Sequence, residues 1–397
     1  MEKISGIMSR LKIFNGNIIT PFENLGIGTV LTENGKITAV ERGNIEASGY
    51  TEVDAKNNYI TPGFIDLHTH GGGGSDFMDS TTDAFITAAN MHAKHGTTLL
   101  FPTTLAGDNS ELYSFFDTYE KALPLITKGA RFGGIHLEGP YFSYNHRGAQ
   151  DPKYLRNPNP TEYNAILERS KDIVRWSIAP ELPGSTEFAH TLTKRGILPS
   201  IAHTDAIYEE ILEAFKAGFT HITHFYSCMN GITRRNAFRY AGCIEAGYLI
   251  DEMTVEIIAD GIHVPEPLMK LIYRLKGAEN IALVTDSMRG AGMPDGESIL
   301  GSLKNGQSVI IEDGVAKLID RTAFAGSVAT ADLLVRNARD IGGTSLKEAV
   351  RMATSTPARI ANIGDKKGRI AVGYDADIVI FNDNIEIQST IIDGEFI

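Results

Sequence analysis

Eight short apolar runs, each followed by a longer stretch of helical period, fill the chain between residues 62 and 363, and this alternation constrains the fold most. The runs are residues 63–67, 97–101, 133–137, 174–178, 198–202, 221–223, 255–259 and 281–285. Between them, segments such as "TTDAFITAANMHAKHG" and "AIYEEILEAFKAG" repeat apolar residues at helical spacing and close on the glycine that commonly follows a helix end. Strand-then-helix repeats build a parallel sheet covered by helices, and eight of them favour a closed (β/α)8 barrel over an open sheet.

The ends of the chain read differently. "LKIFNGNIIT", "GTVLTENGKITAV" and "TEVDAKNNYITPG" alternate apolar and polar residues around Asn-Gly turns, and "GRIAVGYDADIVIFNDNIEIQSTIIDGEFI" has the same texture. The expected fold is therefore α/β: a TIM-like barrel over 62–363, with a small β-sandwich domain assembled from 1–61 and 364–397. A length of 397 residues suits a barrel of roughly 250 residues plus a small domain.

Charge and composition exclude several partners. Lys and Arg number 37 against 49 Asp and Glu, a net charge of -12 that repels nucleic acid. Two cysteines are too few for a disulfide scaffold, the opening "MEKISGIMSRLKIFNGNIIT" has no apolar core of a secretory signal, and no run approaches the ~20 apolar residues of a membrane span. A soluble cytoplasmic protein with no membrane partner is expected.

In such barrels the chemistry lies at the C-terminal ends of the strands. The first run ends in His68 and His70, the third in "HLEGP" with Glu138, the fifth in "IAHTD" with His203, the sixth in "THITHF" with His224 and the eighth in "LVTDS" with Asp286. Residues two apart on a strand share a face, so both imidazoles of "HTH" reach one ion. Alone, that pair is as readily two polar residues at a strand end; the joint pattern across five strands favours ligands. Histidine with carboxylate suits zinc or ferrous iron better than calcium or magnesium.

Other residues read as structural. His92 and His95 lie in a helical stretch, as a cap and a solvated surface residue. His136 lies two residues before Glu138 and deeper, in a packed or supporting role, and His221, three before His224, projects to the other face of its strand. Cys228 reads as a buried free thiol. The four glycines after His70 lack the Lys-Ser/Thr of a phosphate loop and read as backbone passing close to a metal or substrate.

"PGFIDLHTHGGGG", "HLEGPYF", "AHTD", "THFYSCMN", "IIADGIHV", "LVTDSMRGAGMPDG" and "AGSVATAD" together resemble the N-acetylglucosamine-6-phosphate deacetylases of the amidohydrolase superfamily, in the same order and over nearly the whole chain. The resemblance implies a metal-dependent hydrolase barrel that removes the acetyl group of an amino-sugar 6-phosphate. Glu138, His203 and His224 would hold the principal metal, and His68 with His70 a second, giving one or two zinc or iron ions per subunit. Where many amidohydrolases carry a bridging carboxylated lysine after strand four, this chain has "IAPE", so Glu138 would bridge. Asp286 would take a proton from water and pass it to the departing nitrogen.

The same resemblance assigns the sugar phosphate to His263, to the backbone at Ser227 and Cys228, and to Arg235, which in relatives reaches across from a neighbouring subunit and so implies a homodimer. "GITRRNAF" departs from the family pattern, leaving Arg234 as an alternative. Gln150 stands where relatives often have a histidine that touches the substrate carbonyl; its amide donates a hydrogen bond but carries no proton. N-acetylgalactosamine 6-phosphate, or another N-acyl amine, is the alternative substrate. A non-catalytic binding barrel would be marked by loss of Asp286 or a ligand, and neither is lost.

Overall fold

The structure, a computed structural model, describes residues 10–397, and the first nine residues of the expected N-terminal unit lie outside them. Arg10–Ile19, Asn24–Glu33 and Lys36–Arg42 form an antiparallel meander. Thr51–Asp54 and Tyr59–Pro62 then pair in parallel with the two halves of the first strand. From the other end of the chain, Ile378–Phe381 pairs antiparallel with Tyr59–Pro62 and is followed by Ile387–Ile392 and Glu395–Phe396. Both ends thus enter one hydrogen-bonded sheet of eight strands, where two stacked sheets were expected. Alternation puts Ile13, Val30, Ile60, Ile378 and Ile391 into one apolar cluster. Gly16 follows a register shift in the first strand, and a Cβ there would lie 2.6 Å from Ile60 and 2.7 Å from Ala55, so only glycine fits.

All eight expected barrel strands are present: Phe64–Thr69, Thr97–Pro102, Ile135–Glu138, Ile173–Ile178, Leu198–Ile201, His221–Ile222, Thr254–Ile257 and Ile281–Leu283. The first two pair in parallel, as do the third to the eighth in unbroken sequence. Hydrogen bonds at the strand ends close the ring. Asp286 N–H donates to the His68 carbonyl at 2.8 Å, joining the eighth strand to the first, and Thr104 N–H donates to the His136 carbonyl at 3.1 Å, joining the second to the third. The first two strands are buried at every residue, as expected when a parallel sheet is covered on both faces.

Beyond the small antiparallel pair Gly71–Gly72 with Ser75–Asp76, two larger insertions among the described residues lie outside the strand-helix repeat. A hairpin, Thr233–Arg235 with Phe238–Tyr240, follows the sixth strand, and a three-stranded antiparallel sheet, Gly296–Leu300, Gln307–Glu312 and Val315–Leu318, follows the eighth. The Asp313-Gly314 turn in the latter is a hairpin signal readable in the sequence. Among the described residues no helix is long and apolar enough to cross a membrane.

Candidate metal centre

His68, His70, Glu138, His203, His224 and Asp286 meet at the C-terminal mouth of the barrel, each at most 8% exposed. Two groups share one carboxylate: His68, His70 and Glu138, and Glu138, His203 and His224. Glu138 Oε1 lies 3.1 Å from Nε2 of His224, 3.4 Å from that of His203 and 3.5 Å from that of His68; its Oε2 lies 3.5 Å from Nε2 of His70. Asp286 Oδ1 is 3.1 Å from Nε2 of His70 and 3.4 Å from that of His68.

The donor set fits a divalent cation. Nδ1 of His70 faces the Thr103 carbonyl at 3.2 Å and Nδ1 of His203 faces the His146 carbonyl at 2.8 Å. A carbonyl only accepts, so both Nδ1 atoms carry the proton, and a neutral ring then turns a bare Nε2 lone pair inward. Yet Nε2 of His68 lies 3.3 Å from that of His70, and Nε2 of His203 lies 3.2 Å from that of His224. In the first pair Nδ1 of His68 is held by Glu256 at 2.7 Å, so both Nε2 atoms are bare, and lone pairs that close repel unless a positive charge sits among them. A proton on these rings is the alternative to a cation, and the protonation equilibria report the same negative field. Burial opposes a charge on His70, but the hydrogen bond to Asp286 and the charge of Glu138 raise it to about 9. Burial would likewise raise Glu138, but His68 and the hydrogen bonds from His203 and His224 hold it well below the usual range.

The strands stop being regular where the ligands begin. His203, His224 and Asp286 have φ of 47°, 29° and 48°, a region that L-residues rarely adopt and that concentrates at functional sites. This explains one departure from expectation. His221 does not point away from His224's side: its Nε2 lies 3.2 Å from Glu256 Oε2 inside the barrel, because the strand ends at Ile222 and alternation fails before His224.

Beneath the ligands lies a buried polar layer that the sequence reading missed. Glu256 accepts from His68 Nδ1 at 2.7 Å and from Arg175 at 2.6 Å, and Arg175 also donates to Ser200 and Thr223. The available signal was a charged residue inside an otherwise apolar strand, "TVEI" and "IVRWSI". His136 belongs to this layer, as expected, with Nε2 2.7 Å from Ser177 Oγ. His95 ends its helix, as a cap should. His92, expected at a cap or in solvent, is instead fully buried, and its Nε2–H donates to the Gly71 carbonyl at 2.9 Å. The glycines after His70 also differ from expectation. Gly72 and Gly73 pack on the helix Thr82–Lys94, where a Cβ on Gly72 would lie 2.1 Å from Met91, Gly71 faces Ser75 and Asp76, Gly74 faces Met293, and none of the four lines the cavity at the barrel mouth.

That cavity, of about 300 Å³, is lined by His70, Glu138, Gln150, His203, His224, Ser227, Cys228, His263, Asp286 and Phe324, among others. Gln150 is clamped at both ends: its amide donates to Glu138 Oε2 at 2.8 Å and its oxygen accepts from Ala106 N–H at 2.9 Å. Asp260 accepts from Nδ1 of His263 at 2.6 Å, which leaves Nε2 as the ring's free nitrogen. Cys228 is a free thiol, half-buried. Arg234 and Arg235 do not line this cavity; both are exposed on the hairpin after strand six, Arg235 over the Tyr240 ring.

The sequence pattern of the Amidohydrolase family matches residues 59–397. The chain is 32% identical to an N-acetylglucosamine-6-phosphate deacetylase of Lysinibacillus sphaericus, covering 91% of each protein. It is 31% identical to an N-acetylgalactosamine-6-phosphate deacetylase of Escherichia coli O157:H7, covering 87% of this chain and 89% of that one. The solved N-acetyl-D-glucosamine-6-phosphate deacetylase of Mycobacterium smegmatis, in complex with N-acetyl-D-glucosamine-6-phosphate, matches with a TM-score of 0.89 at 29% identity, over 98% of this chain and 99% of that one. By its barrel, its convergent histidines and carboxylates and a match that spans most of its length, the chain belongs to the amidohydrolase family.

Proposed function

We propose that the protein is a metal-dependent hydrolase that converts N-acetyl-D-glucosamine 6-phosphate to D-glucosamine 6-phosphate and acetate, in amino-sugar catabolism. The observation that carries this reading is the convergence of five candidate ligands and Asp286, all but His68 lining a cavity of about 300 Å³. Glu138, His203 and His224 would hold one zinc or ferrous ion, and His68, His70 and Glu138 would offer a second position. The cation supplies Lewis acidity, which acidifies water and polarises an amide carbonyl. Asp286 takes a proton from the attacking water and gives it to the nitrogen as the C–N bond breaks, so the amine leaves neutral. Asp286 is suited to begin as the base: burial would raise it, but His68 and His70 hold it below its ordinary value. His263, oriented by Asp260, offers Nε2 to a sugar oxygen, and Ser227 and Cys228 form the adjoining wall.

The phosphate needs a cation that the cavity lining does not include, since no lysine or arginine is among its residues. We read Arg235 on the exposed hairpin as serving the site of a second subunit, with Arg234 as the alternative, which makes the protein a homodimer. The barrel over 62–363 then carries the chemistry, and 1–61 with 364–397 form a supporting unit. Two free cysteines agree with a cytoplasmic location. The galacto epimer is a second reading, because the relative from Escherichia coli is nearly as similar as the one from Lysinibacillus. Acetate release from each epimer by zinc- or iron-loaded protein tests both. Release from neither epimer removes the proposal, and a higher kcat/KM for the galacto epimer reassigns the substrate.

A further inference from the structure

Buried ion pairs are weak stabilisers, because taking both charges out of water offsets most of their attraction. Arg175 and Glu256 nevertheless face each other at 2.6 Å inside the barrel, 4% and 0% exposed, beneath the metal-binding side chains. Each oxygen of Glu256 has defined partners. Oε1 accepts from Nδ1 of His68 at 2.7 Å and from the backbone N–H of His224 at 3.1 Å. Oε2 accepts from Arg175 and lies 3.2 Å from Nε2 of His221. One oxygen therefore fastens a ligand of each cation position. His224 lies past the end of its strand with φ of 29°, and while its neighbours Thr223 and Phe225 donate to the Ile201 and Glu256 carbonyls at 2.8 Å, its own N–H is held by the Glu256 side chain.

We propose that Glu256, with Arg175 as its fixed counter-ion, is a positioning residue that couples the two cation positions. Through Oε1 it keeps the His68 proton on Nδ1, so that the Nε2 lone pair faces the cation, and it holds the backbone that aims His224. Arg175, anchored by Ser200 Oγ at 3.0 Å and Thr223 Oγ1 at 2.8 Å, neutralises Glu256. Glu138 and Asp286 then remain as the carboxylates whose charge a divalent ion balances. The inference rests on reading these residues as a metal centre and is independent of the sugar.

The test is zinc affinity, measured by competition with a chromophoric chelator on full-length, metal-free protein. In Glu256→Gln every zinc that the wild type binds is expected to be held about 10- to 100-fold more weakly. Phe115→Leu, a change in the core against Phe85 and away from the site, is expected to lower the melting temperature and leave zinc affinity unchanged. If Glu256→Gln leaves Arg175 unpaired and does not fold, the double variant Arg175→Met/Glu256→Gln removes both charges, and the same loss is expected. Unchanged affinity in either folded variant overturns the proposal, and a loss confined to one of two bound ions overturns the coupling. A wild type that binds no zinc overturns the metal centre and the proposal with it.

Discussion

Asp286 meets two requirements at one atom. Its Oδ1 lies 3.1 Å from Nε2 of His70, close enough to share the field of a bound cation, and its side chain lines the cavity where an amide would sit. Replacing it with asparagine keeps the shape and removes the base. In Asp286→Asn, metal content by elemental analysis should match the wild type, while turnover falls by about 10²- to 10⁴-fold; retained turnover removes Asp286 from the proton transfers. Gln150 makes the opposite case. Both ends of its amide are already engaged, by Glu138 and by Ala106 N–H, so its first duty is to hold the shared carboxylate. Gln150→Ala leaves two buried groups unpartnered and should cost about 1–3 kcal/mol in urea unfolding, with a lower kcat. The histidines, Glu138 and Asp286 were legible because they end apolar runs. The duty of Gln150 was not, because no local pattern tells which carboxylate an amide twelve residues away will meet.

The helix Thr82–Lys94 shows how an element far from the chemistry supports it. His92, on its buried face, donates to Gly71 just beyond "HTH", and burial lowers it from 6.5 to about 4. His221 is lowered to about 4 as well, by burial and then by the charge of Arg175. The unfolded chain protonates both below about 6.5, whereas the folded protein does so only near 4. Their contribution to stability is therefore full above pH 6.5 and is lost as pH falls towards 4, by roughly 3 kcal/mol for each. Asp66 and Asp76, raised by burial to about 6, titrate with the opposite sign in an overlapping range. The share of His92 is thus read as a difference: the gap in unfolding free energy between wild type and His92→Gln should shrink from pH 7 to pH 4.5, and a constant gap removes His92 as its source. The sequence carried the helix, whose apolar residues recur at helical spacing, but not the burial of His92, because a polar side chain on such a face satisfies the same period. Likewise the eight strands were visible as apolar runs. The opposite placing of His221 relied on alternation beyond Ile222, where the backbone leaves the strand.

At the scale of the molecule, a net charge of -12 has to be reconciled with an anionic substrate. The cavity residues include histidines and carboxylates but no lysine or arginine, while Arg234, Arg235 and Arg239 cluster on one exposed hairpin beside Phe238, itself 72% exposed. An exposed aromatic flanked by guanidiniums is what a subunit contact needs, with apolar area for association and charge for the neighbouring phosphate. In that arrangement each site draws Asp286 from one chain and Arg235 from the other. If Arg235 serves the phosphate as proposed, Arg235→Ala should raise KM more than it lowers kcat, because the contact is to the phosphate and not to the scissile amide. The decisive experiment mixes Arg235→Ala with Asp286→Asn, unfolds the mixture and refolds it, at substrate well below KM. A hybrid dimer then has one site with both defects and one with neither, and random reassortment should restore roughly a quarter of wild-type activity. A phosphate held within one chain gives no recovery, since every site would keep one defect.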